Sequence, residues 1–250
     1  MNSTELLVDF FRGVARQGPG GDAETKRALE LAGLDRSRPL RIADLGCGTG
    51  SSALVLASEL DATLTAVDIF PPFLEDLRAR ARDCGVEDRI TTVAGSMDSL
   101  PFQDSEFDVI WSEGAIYNVG FANGIRSWSR FLKPGGVLVV SEITWLGSRR
   151  PQELQSYWEW EYPEIDTTSS KMRVLEQHGY TPCAYFVLPD RCWLDNYYHP
   201  LKETFGSFLE RHGDSDQARA IVEAQEREMG LYEKYGAYYG YAVYVARKAL

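Results

Sequence analysis

The heptapeptide Asp44-Leu45-Gly46-Cys47-Gly48-Thr49-Gly50 lies between a short apolar run, Ile42-Ala43-Asp44-Leu45, and an apolar stretch from Ser51 to Leu60. The first run predicts a strand and the second a helix. Glycines at such a junction let a ligand approach the backbone closely. The helix start beyond them offers N–H groups that have no intrahelical partner. The spacing is G-x-G-x-G behind an acid. A dinucleotide fingerprint, G-x-G-x-x-G, would need its third glycine at Ser51. This loop therefore does not have the form that cradles a diphosphate.

Outward from the loop, strands and helices alternate. Thr63–Val67 reads as a second strand closed by Asp68, 24 residues after Asp44. Pro71 and Pro72 open the next helix, where the missing N–H of proline costs nothing. Arg89–Ala94 and Phe107–Trp111 are the third and fourth strands, and Asn123–Leu132 is a helix. Lys133-Pro134-Gly135-Gly136 is a turn into a fifth strand, Val137–Ile143. This alternation predicts a doubly wound α/β domain, its sheet mostly parallel and covered on both faces. Asp68 then sits at the carboxyl edge of the sheet, beside the point where strand order reverses. A carboxylate there can accept both hydroxyls of a ribose; the plain alternative is a helix N-cap before Pro71.

Two flanks surround this core. Residues 4–16 predict a helix, with Gly18-Pro19-Gly20-Gly21 as its breaker, and Asp22 reads as the N-cap of a helix over 23–32. After Trp145 the alternation pauses. Residues 150–178 read as two helices split at Tyr162-Pro163, Tyr180–Leu188 as a strand, 193–235 as mainly helical, and Tyr239–Ala246 as the last strand. The last two strands predict an antiparallel edge with a long insertion between them. The expectation is one domain over 1–250: an N-terminal helical lid (1–39), a cofactor-binding core (40–145), and a helical cap with the last strands (146–250).

The 250 residues carry 37 acids against 26 Lys and Arg, a net charge of −11. That balance repels phosphate backbones and anionic lipid, so no nucleic-acid partner is expected. No apolar run approaches the roughly eighteen residues of a membrane span, and the first residues lack signal-peptide character. Four dispersed cysteines and three dispersed histidines predict neither disulfides nor a metal site. A reducing, cytoplasmic setting is expected, with no membrane partner. Oligomeric state stays open, a homodimer included.

Together the motifs resemble the class I S-adenosylmethionine-dependent methyltransferases. Beyond the glycine loop, the similar segments are Gly95-Ser96-Met97-Asp98 with Leu100-Pro101-Phe102, Phe107 to Glu113, and Leu132 to Gly136. They cover about residues 40–145 in the right order. Within that class the chain is similar to the small-molecule enzymes that include ubiquinone/menaquinone-biosynthesis methyltransferases. The resemblance implies a seven-stranded, Rossmann-like sheet and S-adenosyl-L-methionine as cofactor. It implies that Gly46 and Gly48, behind Asp44, line the methionine and ribose portions, and that Asp68 holds the ribose hydroxyls. Ile69 would pack on the adenine, with Ser96 and Met97 at its other side. Ser112 would offer a backbone oxygen to the methionine ammonium, and Glu113 and Tyr117 would face the methyl group. Related enzymes often carry histidine at the position of Tyr117, so a histidine base is absent there.

Methyl transfer from a sulfonium is an in-line displacement that demands alignment in a dry pocket. A base is needed only when the acceptor must lose a proton. Glu113, Tyr117, Asp195 and His199 are candidates, and none is assigned. Glu142 reads as a supporting polar contact. Tyr117, Trp145 and His199 are the expected acceptor-facing residues. Of 30 aromatic residues, 18 follow residue 150. Tyr157, Trp158, Trp160 and Tyr162 form one group and Trp193, Tyr197 and Tyr198 another, which serve as core, as an apolar acceptor pocket, or as both. Gln17, on the glycine-hinged lid, is expected to touch the methionine end of the cofactor. Two rival readings are a nicotinamide-dinucleotide oxidoreductase, which the glycine spacing disfavours, and a non-catalytic S-adenosylmethionine-binding homologue.

Overall fold

The computed structural model describes residues 3–250. Seven strands form one path. In chain order they are β1 (Leu40–Leu45), β2 (Ala62–Asp68), β3 (Ile90–Ala94), β4 (Phe107–Ser112), β5 (Leu132–Trp145), β7 (Tyr180–Val187) and β8 (Tyr239–Lys248). The order across the sheet is β3-β2-β1-β4-β5-β8-β7, and a two-residue strand, β6 (Asp166–Thr167), pairs with the end of β5. The first five pair in parallel. The strand β8 runs antiparallel between β5 and β7. Central β4 is buried along its whole length, as a strand covered on both faces must be. Pro182 is accommodated because β7 is an edge strand with a bulge between Pro182 and Ala184.

Helices α2 (Asp22–Leu31), α3 (Ser51–Glu59) and α4 (Pro71–Asp83) cover one face, packing Leu29, Leu56 and Leu77 against Leu64 and Val109. Helices α5 (Phe121–Trp128) and α7 (Thr168–Gln177) cover the other, with Trp128 and Leu175 against Leu138 and Tyr244. A third apolar cluster joins α1 (Ser3–Arg12), α6 (Gln152–Glu161) and the insertion between β7 and β8. That insertion holds α8 (Asp190–Trp193), α9 (His199–Arg211) and α10 (Asp216–Tyr235). It forms the cap over the carboxyl ends of the strands.

The structure corrects several local expectations. The first helix stops at Arg12 instead of residue 16. Gly21, in extended backbone, precedes α2, and Asp22 is its first residue instead of its cap. The fifth strand begins at Leu132, so the Lys133–Gly136 turn is an irregular start of β5, with Gly135 at φ 72°. The helix expected over 123–132 begins at Phe121 and tightens into a 3₁₀ turn at Ser129–Phe131. The strand β6 was not expected, because two residues carry no period.

Candidate functional site

A cavity of about 730 Å³ opens at the carboxyl edge of the sheet, under the cap and beside the N-terminal segment. Its outer end is the glycine loop. Gly46 and Cys47 donate their N–H groups to Val67 O at 2.9 and 3.0 Å, tying the loop to the neighbouring strand. Gly48 N–H donates to Asp68 Oδ2 at 2.8 Å, and Phe70 N–H to Asp68 Oδ1 at 2.9 Å. Burial raises the Asp68 carboxyl above its ordinary range, and these backbone N–H groups oppose the shift. Gly46 has φ +71°, and a Cβ there would strike Ala115. Side chains at Gly46 are therefore excluded by backbone conformation and by protein packing before any ligand is considered.

The N-terminal segment closes one side. Gln17 Oε1 accepts from Thr49 N–H at 3.0 Å, while Nε2 donates to Phe11 O and Val14 O at 3.2 and 3.1 Å. Its side chain lies over Gly48, where a Cβ would meet Oε1. Arg16 is the one cationic side chain on the cavity wall among the described residues. It bonds Asp22 at 2.9 Å and reaches Glu113 at 3.4 Å. Glu113 Oε1 also accepts from Thr25 Oγ1 at 2.7 Å and Trp111 Nε1 at 2.9 Å, so its carboxylate is held from three sides.

The inner end is an aromatic chamber. Ile143 and Tyr241 form its floor from β5 and β8, and Tyr117 stands at the junction of the two ends. Tyr157, Trp158 and Tyr162 come from α6 and the residue after it, and Trp193 and Tyr197 from the cap. Between α8 and α9 the chain makes a π-helical turn, Leu194–Tyr198. Such turns shift side chains out of the ordinary helical register, and this one carries Tyr197. Glu161, Gln225 and Glu228 also line the chamber.

Of the residues expected to meet ligand, Gln17, Gly46, Gly48, Asp68, Ile69, Ser96, Met97, Glu113 and Tyr117 share this cavity wall. Four others do not lie on it. Asp44 is wholly buried behind the loop, with Oδ2 accepting from Ser52 Oγ at 2.8 Å and Oδ1 unpartnered. Burial, with Glu113 and Asp68 adding repulsion, pushes its carboxyl up to about 7. The Ser112 hydroxyl turns back to donate to Leu45 O at 2.8 Å. Trp145 shares a face with Ile143 but lies two residues further along β5, where it packs against Tyr239 with the Arg150 guanidinium over its ring and does not reach the cavity wall. His199 starts α9 on the solvent side, 65% exposed and paired only with Asp195. Asp195 is as exposed as its partner and leaves the set of candidate bases with it. Glu142 is buried with Lys171, Nζ to Oε1 3.4 Å, and its carboxyl is pushed up to about 7 by burial against the pull of that cation.

Several wall residues escaped sequence reasoning. Arg16 and Asp98 stood beside named candidates, in Arg16-Gln17 and Ser96-Met97-Asp98. Tyr197 belonged to a noted aromatic group. Gln225 and Glu228 carried no signal, being two polar residues on a polar-rich amphipathic helix. Within the aromatic groups Trp160 turns outward, 84% exposed.

The doubly wound sheet, its antiparallel far edge, and a glycine loop facing a strand-end carboxylate define a nucleotide-binding α/β protein. Residues 43–140 match the family model described as a methyltransferase domain. The chain is 34% identical over 129 residues to methyltransferase GfsG of Streptomyces halstedii, covering 51% of this chain and 46% of that protein. It thus spans about half the length of that curated relative. It is 26% identical over 250 residues to the uncharacterized methyltransferase YodH of Bacillus subtilis (strain 168), covering 98% of each. Its fold matches the S-adenosylmethionine-dependent methyltransferase of Geobacter sulfurreducens solved with S-adenosyl-L-homocysteine, at TM-score 0.82 and 21% identity over 96% of each chain. Residues 43–140 thus carry a methyltransferase domain, and the fold is that of the class I S-adenosylmethionine-dependent methyltransferases.

Proposed function

We propose that this protein transfers a methyl group from S-adenosyl-L-methionine to a small-molecule acceptor. The observation that carries this is the continuity of one cavity, from the Gly46–Gly48 loop and Asp68 at one end to the aromatic chamber at the other. The residues fit such a cofactor. Each Asp68 oxygen accepts one backbone N–H and keeps lone-pair capacity for a ribose hydroxyl. Ile69, Ser96, Met97 and Asp98 would border the adenine. Arg16 would face the methionine carboxylate and Glu113 its ammonium, each paired with the sign of charge it needs.

When bound, the cofactor supplies an electrophilic methyl group on a sulfonium. The chain's own part is to orient and to exclude water. The cap rings bring apolar walls to the acceptor end, and the N-terminal segment closes the loop side through Gln17 on Thr49. Residues 3–21 act as a lid in this reading, with Gly18, Gly20 and Gly21 as the hinge. No side chain is assigned as base, and an acceptor that arrives as its free nucleophile needs none. A net charge of −11 and free thiols at Cys47, Cys84, Cys183 and Cys192 suit a small acceptor in a reducing, cytoplasmic setting.

Thermal unfolding with S-adenosylhomocysteine and with NAD separates this reading from a dinucleotide enzyme. S-adenosylhomocysteine raises Tm and NAD does not; the reverse result refutes the proposal. Transfer of labelled methyl groups into a metabolite extract then separates an enzyme from a binding homologue, which would bind and not turn over.

A further inference from the structure

The inner chamber has a charge character that its aromatic walls conceal. The Glu228 carboxylate lines it from α10, and Oε1 accepts from Tyr198 O–H at 2.8 Å. Glu161 lines the same space from α6. Among the described residues, no Lys, Arg or His lines this end; the one wall cation, Arg16, stands at the outer end between Asp22 and Glu113. Burial raises the Glu228 carboxyl, and the nearby Glu161 raises it further. Glu228 therefore faces this ring-lined space from a half-buried position with Glu161 at its exposed rim, while the cations packed on its rings, Arg227 over Tyr157 and Lys171 over Tyr162, do not line the cavity. A half-buried carboxylate facing rings with no cation on the wall is stabilised by a positive ligand that enters the chamber.

The rings argue in the same direction. Trp193 and Tyr241 lie 5.4 Å apart, and Tyr197 and Tyr198 5.1 Å apart, beside Glu228. Aromatic faces attract cations, and most strongly where water is excluded. A third observation is independent of charge. Trp193, on the chamber wall, is 1% exposed, yet its Nε1 has no protein partner. A buried donor without a partner costs free energy, and a ligand oxygen in the chamber would satisfy it.

We propose that the inner chamber selects an acceptor bearing a protonated or quaternary amine together with an oxygen, seated between Glu228, Glu161 and the rings of Trp193, Tyr197 and Tyr241. The inference rests on reading the cavity as a methyl-transfer site, but the two can fail separately.

The test uses choline and its neutral isostere, the alcohol in which a quaternary carbon replaces the nitrogen. The pair is alike in shape and hydroxyl and differs in charge. Each is titrated by ligand-observed NMR into the full chain, with and without saturating S-adenosylhomocysteine. Choline binds saturably and about ten-fold or more tighter than the isostere. Glu228→Gln brings the two within about two-fold while S-adenosylhomocysteine affinity stays unchanged. If that variant fails to fold, Glu161→Gln, at an exposed helix position, lowers the ratio at least by half. Equal affinity of the pair, no saturable choline binding, or a ratio that survives both substitutions overturns the proposal. Failure to bind S-adenosylhomocysteine, with choline still discriminated, sinks the methyl-transfer reading alone.

Discussion

Replacing Asp68 by alanine tests the outer end of the cavity at its most constrained side chain. The carboxylate performs two tasks. It accepts Gly48 N–H at 2.8 Å and Phe70 N–H at 2.9 Å, which fixes the glycine loop against the end of β2. Its remaining lone pairs face the cavity. Hydrogen bonds to a charged group contribute about 1.5–3 kcal/mol each and do not add fully. Loss of two such bonds to a ribose, with some loosening of Gly48, amounts to about 2–4 kcal/mol, or about 30- to 1000-fold in Kd. Asp68→Asn keeps the shape but turns an amide NH₂ toward one of the two backbone donors, so it recovers only part of the loss. Calorimetric titration with S-adenosylhomocysteine measures both variants, and circular dichroism confirms the fold. The expected order of affinity is wild type, then Asn, then Ala. An Ala variant that binds within about two-fold of wild type would show that Asp68 serves only to cap the loop.

The N-terminal segment gives a second prediction: hydrogen exchange over residues 4–21 slows when S-adenosylhomocysteine is added, and identical exchange with and without it removes the lid. Lys171→Met leaves Glu142 buried without its cation, at 0% exposure, and lowers stability by about 3–5 kcal/mol in denaturant unfolding; a loss under about 1 kcal/mol would mean the pair is not coupled as its geometry indicates. Asp44 titrates near 7 in the folded protein and near 3.8 when exposed, so between those values the folded state holds the extra proton and stability falls as pH rises. Asp44→Asn resembles the protonated form; the Tm difference between variant and wild type is therefore small at about pH 4, grows in the variant's favour up to about pH 7 and is level above it, and a difference independent of pH over that range refutes the assignment.

The sheet was legible because its signals are local. A glycine junction, an acid at a strand end and a proline-led helix each occupy a few consecutive residues, and their order dictates the doubly wound topology. The outer end of the site followed, since Gly46, Gly48, Asp68 and Met97 all stand where parallel strands end. The acceptor-facing residues were less legible. Trp145 and Tyr241 are both aromatics on neighbouring strands and share one face, yet position along the strands leaves one packed on Tyr239 and the other on the cavity wall. His199 looked chemical by residue type, but its place at the solvent-facing start of α9 removed it. Glu228 had no sequence mark at all: only the folding of α10 across the end of β8 turns that one acid inward.

This difference has a physical cause that bears on what the protein selects. The cofactor end is built from elements adjacent in the sheet, held by backbone hydrogen bonds such as Gly46 and Cys47 to Val67. Its shape is thus tied to the fold itself. The acceptor end is assembled from α6, the π-helical turn and α10, which meet through side chains alone, Trp193 stacked on Tyr232 at 4.3 Å and Tyr198 bonded to Glu228. Changing a few of those side chains alters the chamber without disturbing a single ladder hydrogen bond. The buried Trp193 Nε1 has no protein partner at this end. A chamber built only for packing would have exchanged it for an apolar atom of similar volume at little cost. Its retention beside the Glu228 carboxyl argues that polar recognition, and not ring packing alone, sets the chemistry of the acceptor.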